Sequence, residues 1–126
     1  MNLHEAIEAI RTVSRDYNQS HQALPDTTLP DISRIFENDQ YITRLTNILN
    51  EIDENNAVKV LNLMYINLLI EENENFTTCY QRMTRALIQD REHAILKVCE
   101  KLPVLDSYLS NALVLANRDQ IAIEEL

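Results

Sequence analysis

The chain contains no glycine in 126 residues. At ordinary usage about nine would occur. Glycine enters left-handed backbone without steric cost, so two-residue β-hairpin turns are hard to build without it. Phosphate-cradling loops and the dinucleotide-binding turn need it for related reasons. One absence therefore disfavours β-meanders, P-loops and Rossmann folds together. Helices are left, because their ends can be closed by other residues. Thirteen Asn are present to serve as N-caps and in an occasional left-handed position.

Apolar spacing is helical almost throughout. Leu3, Ala6, Ile7, Ile10, Val13 and Tyr17 form one stripe and predict a first helix over about 2–20. "HQALPDTTLPD" interrupts it with Pro25 and Pro30. Thr28 and Asp31 resemble a capping pair before a short helix through Phe36. Tyr41, Ile42, Leu45, Ile48, Leu49 and Ile52 then give the cleanest amphipathic pattern, with Asn38 as the expected N-cap.

Residues 58–70 hold ten apolar residues in thirteen, interrupted by Lys59, Asn62 and Asn67. A spanning helix needs about 20 apolar residues, so this run is too short, and its flanks are acidic. It predicts a central buried helix over 56–71 with one narrow polar stripe. Leu61, Leu63, Met64, Ile66, Leu68 and Leu69 are its expected core.

Phe76, Cys79, Tyr80, Met83 and Leu87 continue the pattern, as do Ala94, Ile95, Val98 and Leu102. Either one helix runs over 76–101 or it breaks near Asp90. Pro103 suits a first helical turn before Leu105, Tyr108, Leu109, Ala112, Leu113 and Ala116. Asn117 with Gln120 is placed to cap a short last helix. The expected fold is all-α: one domain over 1–126, a bundle or short solenoid-like array of six to eight antiparallel helices, with no sheet.

Charge narrows the partners. The net charge is −9, which disfavours nucleic acid and anionic lipid as ligands, since both reward a basic face. "MNLHEAIEAIRTV" has neither an early basic cluster nor an apolar h-region, so a cytoplasmic protein is expected. Cys79 and Cys99 fall on apolar faces and read as reduced core thiols.

No catalytic or cofactor chemistry is legible. The acidic flanks lack the residue order and glycine of a calcium loop. "HEAIE" at 4–8 has Glu where a zinc motif needs its second His, and Asp90-x-x-His93 is a lone half of a di-iron pattern. Serine-nucleophile elbows need glycine. Neither a metal nor any other cofactor is expected.

What remains is the distribution of acid. Glu37, Asp39, Glu51, Asp53, Glu54, Glu71, Glu72 and Glu74 face only Arg44 and Lys59 within 37–75, so this segment carries −6 of the total −9. Residues 82–101 run the other way, at +2. If 39–52 and 56–71 pair as an antiparallel hairpin, Glu37 and Asp39 gather with Glu71, Glu72 and Glu74 at one end. Glu51, Asp53 and Glu54 then occupy the other. Carboxylates at 71–74 sit near a helix C-terminus, where the macrodipole disfavours them by about 0.3–1 kcal/mol each. Acid placed there suits the steering of a basic partner.

Size, acidity, helical pattern and the missing active site together resemble the small bacterial immunity proteins. The resemblance implies binding and neutralisation of a cognate toxin, often a basic nuclease; it carries no motif, and the eight carboxylates are the expected partner-binding residues on the charge distribution alone. A phage-encoded inhibitor of a nucleic-acid-binding defence protein has the same requirements. The alternative is an oligomeric scaffold or adaptor, such as a homodimer, associating through 103–116 or "IAIEEL".

Overall fold

The computed structural model describes the backbone of residues 1–22 and 32–126, and the side chains of 1–20 and 40–126. Among the described residues six α-helices follow one another: α1 Leu3–Gln22, α2 Ile32–Glu51, α3 Glu54–Leu69, α4 Phe76–Ala86, α5 Arg91–Glu100 and α6 Leu105–Arg118. Short 3-10 turns at Leu102–Val104 and Ile123–Glu125 complete the chain. No strand occurs among the described residues. The all-α expectation is met.

Side chains of Asn and Asp close the helix starts in place of glycine-dependent devices. Asp53 Oδ1 accepts from Asn56 N–H (2.7 Å), Asn75 Oδ1 from Thr78 N–H (2.8 Å) and Asp90 Oδ1 from His93 N–H (2.7 Å). Each satisfies one of the orphan donors of a first turn. The 76–101 region therefore breaks, with Leu87 in extended backbone and Asp90 as the new cap.

Among the described residues two adopt positive φ, Asn73 at 68° and Gln120 at 58°. Gln120 ends α6 as a glycine would. Its N–H donates to Asn117 O (3.1 Å) and Ile121 N–H donates to Ala116 O (2.8 Å), the paired bonds of a Schellman motif. Asn117 and Gln120 thus finish α6 rather than start a further helix.

Asn38 is likewise no N-cap. Helix α2 runs continuously through it from Ile32, because the modest interior penalty of Asn is outweighed by an unbroken hydrogen-bond ladder. The Thr28–Asp31 capping pair lies outside the described residues.

Helix α3 is central. It packs on α4, α5 and α6 and touches α1, burying Ala57, Val60, Leu61, Asn62, Leu63, Met64 and Ile66. Leu68 and Leu69 depart from expectation, at 44% and 40% exposed. They occupy the last turn of α3, beyond which the chain leaves the bundle for the 70–75 turn. Asn62 departs in the opposite sense: instead of lining a solvent stripe it is 1% exposed. Its carboxamide pairs reciprocally with that of Gln89, both bonds 2.9 Å. The segment after α4 supplies this partner, which makes the burial affordable.

Among the described residues the 39–52/56–71 hairpin does not form: α2 packs on α1 and α5, whereas α3 packs on α4, α5 and α6. Arg91 of α5 is the clasp. Its Nη1 donates to Ile52 O (2.7 Å) and to Leu49 O, satisfying carbonyls at the end of α2. Buried Ser14 makes a comparable tie, donating to Leu102 O (2.8 Å) and accepting from Asp106 N–H (3.2 Å).

Candidate functional site

The 70–75 turn and the end of α6 enclose an open cleft of about 550 Å³. Glu71, Glu72, Glu74 and Asp119 line it, with Arg118 as the cation among them. Sequence brings Glu71, Glu72 and Glu74 together. Only the fold adds Asp119, 45 residues further along the chain than Glu74.

These carboxylates are not equivalent. Glu74 is gripped by Arg82 of α4, with Nη2 to Oε1 at 2.7 Å and Nε to Oε2 at 3.2 Å. Its Oε1 also accepts from Glu71 N–H (2.9 Å). The Arg82 bonds, then the backbone bond, hold its carboxyl below the usual range. Arg82 Nη2 further reaches Leu69 O, so one guanidinium closes the C-terminus of α3 and fixes the turn. Asp119 is held in the same manner. Arg118 forks onto it at 2.9 and 3.0 Å, and Phe76 N–H donates to Oδ2 at 2.7 Å. Its carboxyl too lies below the ordinary value, chiefly through Arg118.

Glu71 and Glu72 remain exposed, and among the described residues no hydrogen bond or ion pair engages their carboxylates. The cleft thus has fixed acidic walls and two unclaimed carboxylates at its lip. Such an arrangement can receive a lysine or arginine side chain.

The remaining predicted site residues separate. Glu51, Asp53 and Glu54 are exposed at the α2–α3 joint. Asp53 is spent partly as the cap of α3, and Glu54 Oε2 accepts from Arg91 N–H (3.2 Å) at the start of α5. The side chains of Glu37 and Asp39 lie outside the described residues. Their expected gathering with Glu71, Glu72 and Glu74 rested on the hairpin that α5 replaces.

Burial, followed by the charge of Glu74, pushes the Cys79 thiol up, and burial does the same for Cys99. Both cysteines carry free thiols, Cys79 buried and Cys99 half-buried. The Tyr80 hydroxyl is raised by burial beside Asn62. Among the described residues no group of three His, Cys, Asp or Glu side chains is placed to hold a metal ion. None of the described helices is long and apolar enough to cross a membrane.

The grip of Arg82 and Arg118 has a pH consequence. A carboxylate whose folded value is depressed stabilises the fold above its unfolded value, about 3.9 for Asp and 4.3 for Glu. That contribution is lost as pH falls through the lower folded value. Stability should therefore drop below about pH 4. Glu74→Gln should flatten the decline, as followed by urea midpoints across the acid range. An unchanged acid profile would show the Arg82 pair to be energetically silent.

Fold and site together define a small all-α protein with an acidic cleft. No protein-family model, curated protein or solved structure matches the chain.

Proposed function

We propose that the protein is an acidic protein-binding inhibitor of the immunity type, acting in the cytoplasm. In this reading it neutralises a basic, nuclease-type toxin by direct binding, without a catalytic step. One observation carries the proposal. Glu71 and Glu72 stand exposed at the lip of a cleft whose other carboxylates are already fixed by arginines of the same chain. A preorganised negative face steers a cationic protein and costs little ordering on binding. A phage-encoded inhibitor of a nucleic-acid-binding defence protein would use the same face.

Capture from the native host and identification of the bound protein supplies the partner. Its association should slow as salt rises from about 50 to 500 mM, while the Debye length falls from roughly 14 to 4 Å. Glu71→Lys combined with Glu72→Lys should reduce the on-rate about tenfold or more, with melting temperature nearly unchanged. Arg85→Glu is the proper control. Arg82 is unsuitable, because it supports Glu74 and the end of α3. An affinity indifferent to salt and to the Glu71/Glu72 reversal refutes acidic docking.

The oligomeric scaffold reading is supported by the exposure of Val114 at 65%, Ile88 at 59% and Leu96 at 54%. The faces first expected to serve it are used in part by the core. Leu105, Leu109, Ala112, Ala116 and Ile123 are buried.

A further inference from the structure

Ile88, His93 and Leu96 floor a groove of about 300 Å³ at the start of α5, with Asp90 and Glu92 at its edge. Both carboxylates are exposed. The fold extends this acidic edge from a distant part of the chain. Glu54 Oε2 lies 3.2 Å from Arg91 N at the same helix start, and Asp53 precedes it. Among the described residues no ion pair joins the Arg91 guanidinium to these carboxylates. Arg91 sends its Nη1 to Leu49 O and Ile52 O at the end of α2. Nearby Lys97 is paired with Glu100 at 3.4 Å.

We infer that this groove is a second docking surface, whose occupant is an amphipathic basic segment of a protein partner. An apolar side chain of that segment seats on Ile88 and Leu96, while its lysines or arginines meet Glu54, Asp90 and Glu92. Charge complementarity selects this occupant. Apolar contact supplies most of the affinity in such grooves, and the charged rim supplies specificity. A second copy of this chain, packed symmetrically, would set Asp90 and Glu92 against the same carboxylates, and like-charge juxtaposition is costly. The inference rests on the basic-partner reading but assigns the anchor to a different face from the 70–75 cleft.

The test uses the full chain, labelled with nitrogen-15, and three synthetic peptides. One is an amphipathic helix of leucine and lysine, one its leucine–glutamate counterpart, and one a lysine peptide without apolar residues. The leucine–lysine peptide should shift amides of 88–96 and 53–54. Ile88→Ser with Leu96→Ser should weaken it about tenfold or more, a change that exposed sites tolerate without unfolding. The lysine peptide should bind more weakly and the leucine–glutamate peptide not at all. Shifts confined to 70–75 and 118–119 would overturn this surface while leaving the acidic-cleft reading intact. Failure of both lysine-bearing peptides to bind would overturn the two together. Equal binding of the leucine–glutamate peptide, or a dimer abolished by Ile88→Ser with Leu96→Ser, would replace the basic occupant with an apolar one.

Discussion

Replacing Phe76 with Ala should lower the unfolding free energy by about 3–5 kcal/mol. Phe76 opens α4 and is fully buried, with its ring stacked on Tyr80 at a centroid distance of 6.0 Å. Truncation removes the transfer energy of the ring and leaves a void that the surrounding helices can only partly close. The backbone bond from Phe76 N–H to Asp119 Oδ2 survives the change, so the loss isolates packing. Leu68→Ala is the matched contrast. Its side chain is 44% exposed, and the expected cost is about 1 kcal/mol or less. Urea denaturation of the two variants gives both values. Equal losses would mean that the end of α3 is packed more tightly than its exposure indicates.

Arg91→Ala should cost about 2–4 kcal/mol, because charged hydrogen bonds each contribute roughly 1.5–3 kcal/mol. The half-buried guanidinium serves two carbonyls at the C-terminus of α2, and that helix has no basic residue in its own last turn. Without Arg91 those carbonyls turn to water and the last turn frays. Amide exchange over 46–52 should quicken more than exchange in α6, which is closed by its own Schellman bonds. Arg91→Lys should recover no more than half of the loss, since one ammonium is a poor match for two acceptors held by a planar fork. A cost below about 0.5 kcal/mol would show that apolar contact alone joins α2 to α5.

The buried faces of α1 and α2, the inner residues of α3, and the break at Asp90 as one of two alternatives were all legible in the sequence. Each of these depends on neighbours three or four residues apart, and a linear pattern records such neighbours directly. The caps Asp53 and Asn75 were not singled out, although they are short polar side chains that bond backbone three residues ahead, as Asp90 does.

The errors share a cause as well. Asn38 has the chemistry of a cap but lies inside α2, because a propensity of tenths of a kcal/mol yields to a continuous helix. The candidate site was half legible. Glu71, Glu72 and Glu74 are adjacent in the chain and line one cleft. Asp119 was not visible as their neighbour, and nothing in the sequence separates Glu74 from Glu71 and Glu72. Its partner Arg82 is eight residues away on α4, and the path of the 70–75 turn into that helix sets their 2.7 Å contact.

Sequence by itself determined that this chain is helical, where most helices begin, and which side chains could form a core. Tertiary structure alone decided that α2 faces α1 and α5 rather than α3, and that Asn62 is buried against Gln89. It also decided which carboxylates are held by arginines and which remain exposed. The physical reason is range. Helical periodicity and capping are set by bonds spanning about four residues. The pairing of helices depends on groups tens of residues apart, whose meeting is fixed only when the whole core packs, and even the short-range grips of Arg82 on Glu74 and Arg118 on Asp119 need the turn and helix-end geometry that packing sets.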